Sequence, residues 1–148
     1  MSKEGVKTKG AKNYLKQLEV LNVKINNKQK ELSEMRQLSQ SIGSFKYDTE
    51  KVQTSPSKDK LEKKAVQCVY LEQEINAEID HFIDLKHKII NEIHTLENSS
   101  YIKVLFKRYV EFKRFEEIAV ETNYSYQYVR ELHGAALKEF ETTYKNLQ

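Results

Sequence analysis

Apolar residues recur at every seventh position along the first third of the chain, in two rows that begin at Ala11 and at Tyr14. Eight of the ten positions in these rows are apolar: Ala11, Leu18, Ile25, Leu32 and Ser39 form one row, and Tyr14, Leu21, Lys28, Met35 and Ile42 form the other. Lys, Gln, Asn and Glu lie between the rows. This heptad pattern predicts a long amphipathic helix that begins near Ala11, and Gly43 is a natural C-terminal cap for it.

A turn-rich stretch, residues 43–60, follows this helix and contains the only proline of the chain. We interpret it as a loop, with Ser57 as the N-terminal cap of a second helix that runs to about Glu97. In that helix apolar residues again recur at every seventh position: Leu61, Cys68, Ile75, Phe82, Ile89 and Leu96. A companion apolar row is interrupted by Glu72 and Lys86, which either set the register of helix pairing or are simply exposed.

Two long amphipathic helices joined by a loop predict an antiparallel helical hairpin, a coiled coil, over residues 11–97. The apolar face of the second helix is wider than a two-stranded seam needs, which indicates contact with more than one neighbour. We therefore expect a homodimer or a higher oligomer, because a two-helix hairpin buries little surface alone. A monomer in which the two helices cover each other is the alternative. Residues 1–10 are basic and contain two glycines, and we expect a disordered tail there.

The last third of the chain has a different composition, because residues 99–148 contain ten of the fifteen Tyr and Phe residues. A unit of this size has little volume for a core, and large aromatic side chains bury the most area per residue. We therefore predict a separate small domain of three helices, over about 101–112, 115–122 and 125–140, with Asn98, Ser99 and Ser100 supplying caps at its start. The predicted fold class is all-α, a long antiparallel hairpin followed by this three-helix domain.

The stretch FEEIAVETNYSYQYVRELHG, residues 115–134, has the spacing of a helix-turn-helix. Ala119 is small where two helices must touch, and Asn123 tolerates the left-handed backbone that the turn needs. Ser125 is placed to cap the following helix. The core of the motif is expected from six residues: Ile118, Ala119, Asn123, Tyr124, Val129 and Leu132. The alternative is a helical hairpin that only closes a small core.

The opposite face of the last helix carries side chains that could contact DNA. Gln and Arg read adenine and guanine edges in the major groove, and residues at the helix start can reach bases or phosphates. The candidates on this helix are Ser125, Tyr126, Gln127, Arg130, Glu131, Gly134 and Lys138. Gly134 would either let the backbone approach DNA or mark an early helix end. A basic cluster precedes the motif and is a candidate for phosphate contact, with a solvated face as the alternative: Lys103, Lys107, Arg108, Lys113 and Arg114.

Charge permits a nucleic-acid partner without demanding one, because the net charge is only +3. The positive charge is concentrated in residues 1–30, with eight lysines against two glutamates, whereas residues 61–97 are acidic. The first 14 residues contain no apolar run, so we expect no secretory signal, and no stretch approaches the ~20 apolar residues of a membrane span. A single cysteine, Cys68, excludes an internal disulfide and is typical of a reducing cytosol. We expect a soluble, cytoplasmic protein without a membrane partner.

Catalytic chemistry is not indicated by any pattern in the chain. There is no glycine-rich phosphate loop, nucleophile elbow or metalloprotease pattern. His81, Asp84 and His87 have a spacing that could hold a metal, but no second ligand cluster supports it, so we interpret them as solvated or interfacial side chains. The sequence therefore predicts a protein that is not an enzyme and has no cofactor and no metal.

The whole layout resembles the RinA/ArpU-type late-gene regulators of phages and prophages in low-GC Gram-positive bacteria. The resemblance covers residues 11 to about 141 and is carried by AKNYLKQLEVLNVKINNKQKEL, VQTSPSKDKL, LEQEINAEIDHFIDLKHKII and YIKVLFKRYVEFKRFEEIAVETNYSYQYVRELHGAAL. The last of these stretches is also similar to region 4 of bacterial sigma factors, the helix-turn-helix that reads the promoter −35 element. It departs from that pattern at Asn123, where glycine is common.

The resemblance implies a late-gene transcriptional activator that works with host RNA polymerase on a double-stranded promoter, in the cytoplasm of a bacterial host. Carried over by position, its DNA-facing residues are Ser125, Tyr126, Gln127, Arg130 and Glu131. One alternative is an interaction adaptor that docks on RNA polymerase or a repressor without DNA contact. Another is a DNA-packaging small subunit, although such proteins more often carry the helix-turn-helix before the coiled coil.

Overall fold

The computed structural model describes residues 9–45 and 55–144, and within these ranges the protein is all-helical. The described elements are α1 (Lys9–Phe45), α2 (Ser55–His94), α3 (Ser99–Leu105), a π-helical turn (Phe106–Val110), α4 (Phe115–Thr122) and α5 (Tyr126–Thr143). The predicted all-α class is confirmed for this part of the chain. None of the described helices is both long and apolar enough to span a membrane.

The two long helices extend beyond their predicted ends. α1 continues to Phe45, so Gly43 does not end it, because a glycine costs a long helix only about 1 kcal/mol. α2 begins at Ser55, so Ser57 lies within the helix rather than capping it. Proline is tolerated at the next position, Pro56, because N–H groups in the first turn have no partner inside the helix. Residues 46–54 of the predicted loop, and residues 1–8 of the predicted tail, lie outside the described residues.

The chain divides by packing into two compact units, and the division differs from the predicted boundary at Ser99. One unit combines the described residues up to Leu21 with those from Phe82 onward, and the other comprises Asn22–His81. The first unit therefore contains the start of α1 and the end of α2 as well as α3, α4 and α5. The predicted boundary followed the change in composition, whereas the core is shared by helices on both sides of that change.

In the unit formed by residues 22–81, α1 and α2 pair through their heptad rows. Ile25 and Leu32 of α1 and Ile75 of α2 are buried. Two polar interruptions of the rows are paired across this seam. Lys28 binds Glu74 at 3.0 Å and also Glu78, and Glu72 binds Arg36 at 3.3 Å, from Oε2 to Nη2. Because the paired positions rise along α1 as they fall along α2, these segments run antiparallel.

The core of the other unit is built from all of its helices except α4. Its buried residues are Ala11, Tyr14, Leu15 and Leu18 of α1, Ile89 and Ile93 of α2, Leu96, Leu105, Tyr109, Val110, and Ala136, Leu137 and Phe140 of α5. Polar contacts reinforce the packing at the start of α1. The backbone N–H of Ala11 donates to Glu141 Oε2 at 2.6 Å, and the Tyr14 hydroxyl donates to Glu92 Oε1 at 2.8 Å. The first contact satisfies a backbone donor that has no partner inside α1.

Candidate nucleic-acid interface

A second, smaller core holds α4 and α5 together. Val104 of α3, Ile118 of α4, and Val129 and Leu132 of α5 are buried in it. The half-buried side chains around this cluster are Tyr101, Phe115, Ala119 and Tyr124. The residues expected to form the helix-turn-helix core therefore lie together, apart from Asn123, which occupies the turn. Hydrophobic burial on one face of α5 leaves its opposite face exposed.

The connection between α4 and α5 consists of Asn123, Tyr124 and Ser125. Asn123 has φ 60° and ψ 25°, in the left-handed region. Asparagine visits this region more readily than other residues with a side chain, so it can end α4 here without a glycine. The Ser125 side chain accepts a hydrogen bond from the backbone N–H of Tyr128 at 3.1 Å and so caps α5. Tyr124 meets Tyr128 edge to face, with 5.0 Å between ring centroids.

The exposed face of α5 begins with an open recess of about 520 Å³, lined by Tyr126, Gln127, Arg130 and Glu131. These four side chains are among those predicted to face DNA. The Arg130 guanidinium carbon lies 5.9 Å from the centroid of the Tyr126 ring, within reach of a cation–π interaction. This contact limits the conformations of Arg130 while leaving it at the surface. The face therefore presents amide, guanidinium and carboxylate groups together.

Gly134 and Lys138 lie further along α5. The helix continues to Thr143, so Gly134 does not end it, and the interpretation of an early helix end is wrong. A Cβ atom built on Gly134 would meet nothing within 4 Å, so packing in the described residues does not require a glycine there. Lys138 is exposed, one turn beyond Gly134. An incoming molecule could thus approach the backbone of α5 closely at Gly134.

Two of the cations in the predicted basic cluster are engaged by acidic side chains. Lys107 binds Glu121 at 2.7 Å, and Lys113 binds both Glu121 and Glu111. These hydrogen bonds hold the pKa of Glu121 below its usual value. The bond from Lys107 has the largest effect, and the bond from Lys113 has the next largest. The predicted cluster therefore carries much less positive charge than its composition suggested.

The remaining cations of the cluster differ from one another. Arg108 stacks over the Phe115 ring, 4.5 Å from guanidinium carbon to ring centroid, and donates from Nη1 to the Lys113 carbonyl at 3.0 Å. Arg114 is the N-cap residue of α4, and its backbone N–H donates to the Glu117 carboxylate at 3.0 Å. Lys103 is exposed on α3. These five basic residues therefore do not form one open phosphate-binding surface.

A reversal of the chain between α3 and α4 brings Lys107 and Lys113 to Glu121. The π-helical turn ends at Val110, and Phe112 then adopts φ 60°. The reversal is closed by a hydrogen bond of 3.0 Å from the Lys113 N–H to the Lys107 carbonyl. A left-handed residue other than Gly, Asn or Asp is uncommon, so the packing around Phe112 must hold it in place. Sequence spacing gave no sign of this reversal.

A second recess, of about 210 Å³, is basic and is lined in part by residues that the sequence analysis did not identify as candidates. Lys12 and Lys16 of α1 line it together with Arg108, Arg130 and His133, and with the side chains of Tyr109 and Phe115. Lys12 and Lys16 stand four residues apart and so share a face of α1. That spacing and the excess of lysine in residues 1–30 were the available signals. Lys12 and Lys16 lie near α5 only because of tertiary packing, so this proximity could not be predicted from the sequence.

Within this recess a buried hydrogen bond joins α5 to the π-helical turn. The Tyr109 hydroxyl lies 2.7 Å from His133 Nε2. Burial, with Arg108 and Lys12 as further causes, lowers the pKa of His133 to about 4. Burial likewise raises the pKa of Tyr109. At neutral pH the pair is therefore an uncharged imidazole and an uncharged phenol beside cationic side chains.

No metal site is formed by the described residues. Among residues 9–45 and 55–144, no group of three or more His, Cys, Asp or Glu side chains could hold a metal ion. His81, Asp84 and His87 are exposed.

Comparisons with protein-family models, with curated proteins and with solved structures found no significant match to this chain. The geometry of its own residues therefore carries the functional inference.

Proposed function

We propose that the protein is a transcriptional regulator, a phage or prophage late-gene activator, that binds promoter DNA through a helix-turn-helix formed by α4 and α5. The observation that carries this proposal is the three-residue connection at Asn123. The left-handed residue Asn123 ends α4, and Ser125 caps α5 two residues later. Ile118 of α4 and Val129 of α5 are buried in the same hydrophobic cluster. This geometry fixes α5 at one angle to α4 while one face of α5 stays exposed, as a recognition helix requires.

The side chains on that exposed face support sequence reading rather than general attraction to DNA. Gln127 and Arg130 can each make bidentate contacts to a purine, and each such pair discriminates by about 1–3 kcal/mol. Glu131 can accept a hydrogen bond from cytosine. The engagement of Lys107 and Lys113 by Glu121 leaves little general phosphate attraction in the π-helical turn and in the connection before α4. Base contacts should therefore carry a large share of the affinity.

The proposal extends to the helical hairpin, in which α1 and α2 form a coiled coil that pairs two copies of the chain. In the unit formed by residues 22–81, Val66, Val69 and Tyr70 lie at helical spacing on α2 and are 51%, 52% and 68% exposed. An exposed apolar stripe of this kind is suited to association with a second copy. A dimer would hold two recognition helices together and raise the binding of the second through effective concentration. Host RNA polymerase is the further partner that an activator needs.

The test is capture of genomic DNA. Fragments of the source genome are pooled and bound to the purified protein at low and at physiological salt, with Arg130→Ala alongside. We expect the wild type to retain one or a few fragments at the higher salt and Arg130→Ala to lose that selectivity. Arg36→Ala, which removes the same charge from an exposed position, is the matched control. Equal capture of all fragments by all three proteins would contradict the assigned recognition helix.

A second candidate function is an adaptor that docks on RNA polymerase or a repressor without touching DNA. It is favoured by the surface of α4, where Val120 is 79% exposed next to Glu121, whose charge is engaged by lysines. Co-purification with polymerase after nuclease treatment, together with no footprint on any captured fragment, would select the adaptor. A molecular mass in solution that corresponds to a ring of many subunits would instead favour the DNA-packaging alternative.

A further inference from the structure

The basic recess of about 210 Å³ concentrates cations from three separate elements. Lys12 and Lys16 come from α1, Arg108 from the π-helical turn and Arg130 from α5, and no Asp or Glu among the described residues lines the recess. Within the described residues, Lys12, Lys16 and Arg130 take part in no ion pair. The recess thus differs from the neighbouring basic cluster, in which Lys107 and Lys113 are engaged by Glu121.

The electrostatic environment of the recess is positive. Arg108 and Lys12 add to burial in lowering the pKa of His133, so an additional cation is disfavoured there. Glu19, three residues after Lys16 on α1, acts on Tyr109 but is not among the residues that line the recess. Four cationic side chains line the recess, so an anion would be attracted. Part of the wall is apolar or buried, which strengthens such an interaction relative to open solvent.

Hydrogen-bond donors in the recess are held in place before any ligand arrives. Stacking on Phe115 and a bond to the Lys113 carbonyl fix the Arg108 guanidinium, which keeps further N–H groups to donate. The bond between Tyr109 and His133 leaves one donor in either tautomer. If the Tyr109 hydroxyl donates to Nε2, the proton of the neutral imidazole is on Nδ1. If Nε2–H donates, the phenolic proton remains available.

We propose that this recess binds a phosphate group of the DNA backbone, with Lys12 and Lys16 of α1 as phosphate contacts. This inference rests on the proposed function, because it identifies the phosphate as part of the duplex read by α5. Arg130 supports that source, since it lines both the basic recess and the open recess on the exposed face of α5. A strand whose bases face α5 would pass its backbone beside Arg130. α1 thereby contributes to DNA binding as well as to the coiled coil.

The first test measures how DNA affinity depends on salt. The variant is Lys12→Ala/Lys16→Ala, both exposed positions, and the matched control is Lys24→Ala/Lys30→Ala, which removes the same charge from the same helix. We expect the recess variant to lower the slope of log affinity against log salt by about 1 for each copy of the chain bound, the value for one neutralised phosphate per recess. It should weaken specific and non-specific fragments equally. A slope equal to that of the control would overturn the proposal while leaving the regulator intact.

The second test separates the phosphate site from the proposed function. Inorganic phosphate is titrated into the protein at constant ionic strength against chloride, and the imidazole signals of His133 are followed by NMR. We expect saturable shifts in the wild type and in the Lys24→Ala/Lys30→Ala control, and none in Lys12→Ala/Lys16→Ala. If no DNA is bound, saturable shifts assign the recess to a free phosphate compound instead of the duplex. Absence of shifts in the wild type overturns the site.

Discussion

Glu121 of α4 accepts a hydrogen bond from Lys107, with 2.7 Å between Oε2 and Nζ, and its other carboxylate oxygen binds Lys113. One acidic side chain thus engages two of the lysines that the sequence predicted as phosphate contacts. Such exposed ion pairs add little to stability, so their effect should be sought in binding. If the protein binds DNA as proposed, Glu121 would limit non-specific attraction of DNA to this surface.

The first prediction concerns Glu121→Gln. Removing the carboxylate releases Lys107 and leaves Lys113 with Glu111 as its remaining acidic partner. Non-specific DNA affinity should therefore rise by roughly threefold if Lys107 reaches a phosphate, with a steeper salt dependence. Fluorescence anisotropy with a random duplex at several salt concentrations measures both. Glu116→Gln, an exposed acid on the same helix, is the control for net charge. If both variants change affinity equally, the ion pairs with Glu121 are not the cause.

The second prediction concerns pH and His133. Its pKa is about 4 in the folded protein and about 6.5 when unfolded, so between these values the unfolded chain binds more protons. The free energy of unfolding should therefore fall as the pH drops from 6.5 to 4, by roughly 2 to 3 kcal/mol from this residue alone. Urea unfolding at several pH values measures the slope. His133→Gln cannot take up the proton, so its loss of unfolding free energy between pH 6.5 and 4 should be smaller by that amount.

The third prediction concerns the left-handed residue at the end of α4. Asn123→Gly should leave stability unchanged or raise it slightly, because glycine has no steric cost at φ 60°. Asn123→Ala should destabilise the protein by about 1 kcal/mol, since a Cβ without a polar group is disfavoured in that region. Thermal and urea unfolding of both variants give the comparison. Equal destabilisation by glycine and alanine would show that the Asn123 side chain, not its backbone, matters.

The fourth prediction concerns association through α2. Val69→Lys adds a charge to the stripe formed with Val66 and Tyr70, so it should weaken self-association at least tenfold, the equivalent of ~1.4 kcal/mol. Sedimentation equilibrium measures the dissociation constant. Val20→Lys makes the same change at an apolar residue of α1 that is 50% exposed. A dimer that survives Val69→Lys but dissociates with Val20→Lys would move the interface to α1.

Periodicity predicted those parts of the fold that depend on local sequence. The buried residues Ile25, Leu32 and Ile75 follow the heptads, because burial of one face imposes that repeat on a helix. α4 spans Phe115–Thr122 as expected. Its end is marked by Asn123, which adopts a left-handed conformation, and the start of α5 is marked by Ser125, whose side chain caps that helix. Helix ends were less predictable, because the cost of a single glycine such as Gly43 is small against a long packed helix.

The candidate site was predictable on α5 and not beyond it. The exposed positions of Gln127 and Arg130 follow from the burial of Val129 and Leu132 on the other face. The pairing of Glu121 with two lysines depends on the chain reversal after the π-helical turn, which has no local signature here. Likewise, Lys12 meets Arg130 in one recess only because distant segments pack together. Neither relationship can be derived from spacing.

The core that joins the start of α1 to α5 also constrains how the chain folds. Ala11 and Glu141, bonded through backbone and side chain, are separated by 130 positions. During synthesis, the backbone N–H of Ala11 therefore lacks its Glu141 partner until 130 further residues have been added. Contacts of such long sequence separation slow folding and leave apolar surface open to association meanwhile. Formation of the α1–α2 pair within residues 22–81, which needs only the middle of the chain, would shorten that search.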